Sequence, residues 1–409
     1  MRKVKYLEIE GKSMGFRMVA LILAGLTGIG LLAAYYLEHS GHHASGMNNQ
    51  IVWGLPHVFA IFLIVAASGA LNVASIGTVF GKTIYQPLAR LSALLAIMLL
   101  LGGLLVLILD LGNMFHVLYM VLSFNPTSMF AWNIPLYSGF FGLVAFYLWT
   151  MMDQSMNGYY KKAGYAAFIW RLILTTGTGS IFAFLVARPG YDAAIMGPMF
   201  VIMSFSFGLA IFMLLVMGLY KGTGRPLGNA ILYRLKNLLG VFIAAVLYFV
   251  IVFHLTNLYS AEHQAVERFI LFGSSIHTSL FWIGYVVIGS IIPLIILYTP
   301  LGKSFLWIAS ACGLVVIGGF AQIYTIVIGG QAKALEIFNP SEWTVVKSGF
   351  YDLPANGVYH AYTPTLPELL LGVFGVTLAI LGTLYACKIL RFAPESLADK
   401  DVDPHQKSA

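Results

Sequence analysis

Ten stretches of about twenty or more mostly apolar residues recur between Phe16 and Leu390, separated by short polar segments. That recurrence constrains the chain more than any motif does. Hydrocarbon offers a backbone no water to bond, so a crossing segment must pair its own N–H and C=O groups, which a helix of about 20 apolar residues achieves. The expected fold is therefore all-α and polytopic, with ten spans over Phe16–Leu37, Val52–Thr78, Leu88–Leu109, Trp132–Met152, Gly164–Ala187, Ala193–Leu219, Leu235–Leu258, Ile276–Tyr298, Lys303–Ile328 and Leu366–Leu390. Composition agrees, because 59% of the residues are hydrophobic and only 10% are charged, against about a quarter charged in a soluble domain. The first run is too long for a signal-peptide core and lacks a small-residue cleavage site, so it reads as a retained span.

Lysine and arginine set the orientation, since short loops on the cytoplasmic side carry the excess. With the N-terminus inside, all of the 23 basic residues except Arg188, Arg268, Lys333 and Lys347 fall on inner segments. One miscounted span would swap the later loops and destroy this bias. The expected location is the cytoplasmic membrane of a prokaryote, multi-pass, with both termini inside. The net charge of +7 then reports topology, and no nucleic-acid partner is expected.

Redox cofactors held by this chain are not expected. Cys312 and Cys387 are far apart and form no CxxC or CxxCH, so neither an iron–sulfur cluster nor a c-type haem has ligands. His57, His116, His254 and His277 all lie near the outer boundary, and an inner b-type haem finds no axial histidines. Every histidine except His405 maps to the outer side. Histidine is tolerated at interfaces, but it also exchanges protons near neutral pH, and the one-sided distribution points to proton chemistry at the outer surface. The helix centres offer only weak polar groups, such as Ser68, Asn72, Thr175, Thr178 and Gln322. A carboxylate-based pump is disfavoured on that ground.

The run Asp110–Trp132, DLGNMFHVLYMVLSFNPTSMFAW, carries an Asp-Leu-Gly at a helix end, an aromatic stretch, then Asn-Pro-x-Ser and an opening Trp. Arg188-Pro189 precedes Pro198, Phe200, Ser204 and Gly208, and Trp53-Gly54-x-Pro56 opens the second span ahead of Ser68-Gly69. Phe281-Trp282-x-Gly284, Gly289 and Pro293 form a fourth element. Together these resemble the NrfD-type membrane subunits of polysulfide-reductase-like complexes over about residues 51–300. The ten-span form is most similar to the membrane subunit of Dsr (Hme-like) sulfite-reduction-associated electron-transfer complexes. Asn113-Met114 stands where the family commonly has Arg-Pro, and His116 replaces its usual basic or polar stretch.

The resemblance implies two four-helix bundles plus two extra helices. Residues 1–50 would hold the first span and an outer His-containing loop, 51–190 the first bundle, 191–330 the second bundle, and 331–409 a long outer loop, the tenth span and a cytoplasmic tail. It also implies a quinone site near the outer face, with menaquinone the expected cofactor. An iron–sulfur (ferredoxin-like) subunit would dock there, with further redox subunits, cytochromes among them, in the complex. His57 and Asp110 are the expected catalytic residues, and His57, Asp110, His116, Tyr137 and Arg188 the expected quinone contacts. Each has a plainer alternative: His57 bonded to a carbonyl, Asp110 tied to Arg188, Tyr137 as an aromatic-belt residue. Trp343, Phe350, Tyr351, Tyr359 and Tyr362 are expected to help dock a partner. A structural anchor without a quinone site and a secondary transporter are the alternative functions.

Overall fold

The computed structural model describes residues 4–333 and 362–402. Ten long apolar helices are present among them: α1 (Met14–Ser40), α2 (Leu55–Thr78), α3 (Thr83–Leu109), α4 (Met129–Met152), α5 (Asn157–Ala183), α6 (Met196–Thr223), α7 (Asn229–Tyr259), α8 (Ile276–Tyr298), α9 (Phe305–Ala332) and α10 (Leu366–Ile389). Local signals start and stop them. Ser13 caps α1 by accepting a hydrogen bond from Phe16 N, which satisfies one of the free donors at a helix start. Thr365 and Glu368 form a capping box at the head of α10, and Gly224 ends α6 in the left-handed conformation that glycine adopts without penalty.

The helices close into two rings. Helices α2, α3, α4 and α5 pack in sequence, with α5 returning onto α2; α6, α7, α8 and α9 do the same, with α9 returning onto α6. The rings join where α2 and α5 meet α6. Helix α1 pairs with α10, and α10 lies against α2 and α3. The first and last described segments meet on one face, the terminus face, where β1 (Tyr6–Leu7) pairs antiparallel with β2 (Ala393–Pro394). The opposite face is called the site face.

Helix α2 is the most enclosed span and α1 the least. The joint between the rings depends on two glycines. A Cβ at Gly69 would collide with the Ser204 carbonyl oxygen, and one at Gly208 with the backbone of Gly69 and Ala70. The two backbones touch directly, as small residues permit in membrane helices.

Hydropathy places all ten spans but misplaces some ends. The expected fifth span began at Gly164, whereas α5 begins at Asn157. Arg171, assigned to the inner segments, therefore lies in the middle of a crossing helix with no exposed surface. The expectation of helix centres with only weak polar groups is corrected by this one residue. The expected docking residues Trp343, Phe350, Tyr351 and Tyr359, and also His360 and His405, lie outside the described residues. Tyr362 is described, and it is buried rather than presented for docking.

Replacing Gly208 by leucine drives a side chain into the α2 backbone and should destabilise the protein by about 3 kcal/mol. Thermal unfolding in detergent, followed by circular dichroism, measures this. An unchanged midpoint would show that the joint does not need close backbone contact.

Candidate functional site

Two spans bring the candidate acid–base pair together. His57 sits in the first turn of α2, and Asp110 terminates α3. Their atoms Nδ1 and Oδ2 are 2.8 Å apart, with the histidine side chain 21% exposed and the aspartate 3%. The approach is within ion-pair distance but off hydrogen-bond alignment, so neither buried atom has a hydrogen-bond partner of its own. A buried polar group in that condition calls for a specific cause, such as a ligand that completes the geometry. Because Nδ1 is the buried edge facing the carboxylate, the exposed part of the imidazole is the part open to a ligand. A carboxylate behind one ring nitrogen orients the other and stabilises the imidazolium, the arrangement general acid–base chemistry uses.

An aromatic wall stands over this pair. The Trp53 ring stacks on His57 at 6.3 Å and lies 5.6–6.1 Å from Phe130, Phe182 and Tyr191. Trp53 is held by a hub that hydropathy could not reveal. Gln331, at the end of α9, accepts hydrogen bonds from Val52 N and Trp53 N through Oε1, and donates Nε2 to the carbonyls of Trp53 and Val327. Gln50 donates to the carbonyls of Gln331 and Ala332. Arg188 completes the lattice by donating to the carbonyls of Gln50 and Gln331.

The suggested tie between Asp110 and Arg188 is therefore not formed. Asp110 meets His57, while Arg188 spends its donors on backbone carbonyls and acts as a positioning residue for the Trp53 loop. Tyr137 is buried in α4 beside Thr178 of α5. His116 stands exposed on the short helix His116–Leu122, with its ring against Tyr119. The structure thus gathers His57 and Asp110, places Tyr137 deeper in the same bundle, and sets His116 and Arg188 apart from the pair.

A second hub ties the extra helices to the site. Glu368 is fully buried and accepts from Gly46 N, Thr365 N and the Tyr362 hydroxyl, and Tyr362 in turn accepts from Leu55 N at the head of α2. Burial pushes the Tyr362 phenol far above its ordinary pKa, and the neighbouring carboxylate adds to the shift. It therefore remains a neutral donor.

Below the His57–Asp110 pair, polar residues spaced i, i+4, i+7 on α2 (Ser68, Asn72, Ser75) and α5 (Arg171, Thr175, Thr178) occupy the interior of the first bundle. Arg171 donates Nη1 to the Ser68 carbonyl and Nη2 to Asn72 Oδ1, at 3.2 and 3.0 Å. Thr175 donates to Ser68 Oγ at 2.6 Å. The guanidinium also lies 5.0 Å from the Phe168 and Phe205 ring centres. No carboxylate pairs with it among the described residues. The shared helical spacing was the available signal for this stripe.

The second bundle has its own histidine–carboxylate pair on the site face, also missed from sequence. His254 Nδ1 lies 2.6 Å from Glu267 Oε2, and Asn257 donates to Glu267 Oε1. Beside it, Gln322 and Thr325 help line a cavity of about 20 Å³, room for roughly one water molecule.

The chain matches the family model described as polysulphide reductase, NrfD, over residues 43–334. It is 28% identical over 402 residues to the Hdr-like menaquinol oxidoreductase integral membrane subunit of Archaeoglobus fulgidus, covering 98% of this chain and 99% of that one. It is 24% identical over 347 residues to a selenate reductase subunit of Mesobacillus selenatarsenatis, covering 75% of this chain and 80% of that one.

Asn72→Leu removes a side-chain acceptor from the buried Arg171 guanidinium and should lower stability by about 3 kcal/mol. Denaturant titration in mixed micelles reads this directly. Equal stability of variant and wild type would mean that Arg171 does not rely on Asn72.

Proposed function

We propose a function from one premise: this chain belongs to the NrfD (polysulphide reductase) family. It is an integral membrane protein, and its relatives support a quinone-interacting membrane subunit of an oxidoreductase complex. The finer reading is that menaquinol binds at the site face against His57, beneath Trp53, and passes its electrons to an iron–sulfur, ferredoxin-like subunit docked there. With both termini in the cytoplasm of a prokaryote, the site face is the outer one.

The observation that carries this reading is the His57–Asp110 pair, 2.8 Å apart, with the histidine part-exposed and the aspartate behind it. A quinol releases two protons and two electrons on oxidation to the quinone. The exposed edge of His57 takes each proton in turn from a hydroxyl of the substrate and passes it to water on the same side. Asp110 stabilises the imidazolium in between. The electrons leave to the partner's iron–sulfur centre. Trp53 and Phe130 provide flat apolar surface for the ring, with Phe182 packed behind Trp53, as small-molecule sites generally do. Tyr137 is a deeper donor in the same bundle, Arg188 holds the Trp53 loop in place, and His116, exposed on its own short helix, stands apart from the pair. Protons and electrons leaving on one side move no charge across the membrane here. Such movement would be worth about 2.3 kcal/mol per charge at 100 mV, so energy conservation falls to other parts of the complex.

In the purified complex, a menaquinol analogue should reduce the iron–sulfur centres. His57→Gln should lower kcat/KM for the quinol by about 10²- to 10⁴-fold with assembly intact. Stopped-flow reduction followed optically, with assembly checked by gel, makes the comparison. A wild-type rate in the variant would remove His57 from the chemistry, and no reduction by any quinol would favour the structural-anchor alternative.

A further inference from the structure

Helices α9 and α10 both lie against α2, yet a cleft separates their terminus-face halves. It has a volume of about 1680 Å³ and is walled by α1, α2, α3, α6, α9 and α10. Its roof is the cluster Phe59, Phe62 and Phe320, with the Phe59 and Phe320 rings 4.5 Å apart. Its floor opens at the terminus face among Lys12, Arg225, Lys388 and Arg391. Val19 and Ile317 on its sides are 49% and 58% exposed, so it also opens sideways to the bilayer.

We infer that this cleft holds a two-chain lipid with a phosphate-bearing headgroup, its chains rising beside α6 and its phosphate at Lys12 and Lys388. Depth favours a lipid over a partner's helix. The walls run from Ile211 to Thr223 on α6 and from Val376 to Lys388 on α10, which at 1.5 Å per residue is about 18 Å. A single leaflet of a hydrocarbon core about 30 Å thick requires about 15 Å, whereas a crossing helix requires the full thickness. The phenylalanine roof stops the groove at that halfway depth.

The walls are apolar and open. At Gly15 on α1, and at Gly218 and Gly222 on α6, an added Cβ would meet nothing within 4 Å. Charge at the rim selects the headgroup. Arg391 pairs with Glu8, Lys5 pairs with Glu395, and Arg225 donates to the carbonyls of Leu7, Glu8, Ala393 and Pro394. Among the described residues Lys12 and Lys388 form no ion pair, and the Lys388 stem lies against Gly11 next to Lys12. Glu10 is the remaining acidic side chain at the rim, so the two lysines leave a net positive mouth. An anionic phosphate is the complementary group.

The test is quantitative lipid extraction and native mass spectrometry of the intact complex after delipidating detergent washes. The wild type should retain a phosphate-bearing two-chain lipid in stoichiometric amount. Gly218→Leu/Gly222→Leu fills the cleft and should lower retention roughly tenfold, because packed side chains leave no room for acyl chains. Lys12→Glu/Lys388→Glu should lower the anionic share of retained lipid by about tenfold or more. Should the α6 variant fail to fold, Gly15→Leu probes the same cleft from the opposite wall. A wild type stripped of lipid by the washes, a glycine variant that retains as much as the wild type, or an anionic share unmoved by the lysine changes would each overturn the inference. So would a structure of the complex with a partner's helix seated in the cleft.

Discussion

The contact of α2 with α6 at Gly69 and Gly208 is the constraint from which the rest of the architecture follows. In a bilayer no hydrophobic force pushes helices together, so association depends on close packing and polar contacts. Two glycines let the backbones touch, and α2 becomes the axis on which both rings and the α1–α10 pair are assembled. The same helix carries His57 in its first turn, and Ser68 and Asn72 at its middle. The joint between the rings thus also fixes the depth and rotation of these side chains.

The site face is stiffened by buried polar hubs rather than by ion pairs across the surface. Gln331 and Arg188 hold the Trp53 loop, and Glu368 with Tyr362 holds the head of α2. Each hub satisfies loop carbonyls and amides that hydrocarbon would leave stranded. His57 is therefore presented by a rigid loop and a rigid helix end, as the proposed contact with a ligand at hydrogen-bond distance requires. The buried Arg171 is a different case. It is a charge near the centre of the first bundle, held by a carbonyl, an amide oxygen and two aromatic faces.

Much of this was legible in the sequence. Apolar run length gave the ten spans, because length and hydropathy are local properties. His57 and Asp110 were singled out separately, through residue type and resemblance, but their pairing was not legible, since the two lie on separate helices and Asp110 was set against Arg188 instead. Gln331, Glu368 and the His254–Glu267 pair escaped because their partners are backbone groups or side chains on other elements, and no periodicity marks which glutamine will meet which loop. Arg171 was misplaced for a specific reason: it lay inside the expected fifth span, yet counting basic residues by side rewards crediting every arginine to the inner segments. The i, i+4, i+7 spacing it shares with Thr175 and Thr178 was the stronger local signal.

The central claim is that the part-exposed edge of His57, backed by Asp110, is where a quinone head group meets this chain. Electron cryomicroscopy of the complex with a bound quinone-site inhibitor tests it most directly. A head-group oxygen is expected at about 2.6–3.2 Å from a ring nitrogen of His57, with the ring against Trp53. A head group seated elsewhere, for instance beside His254 and Glu267 in the second bundle, would contradict it.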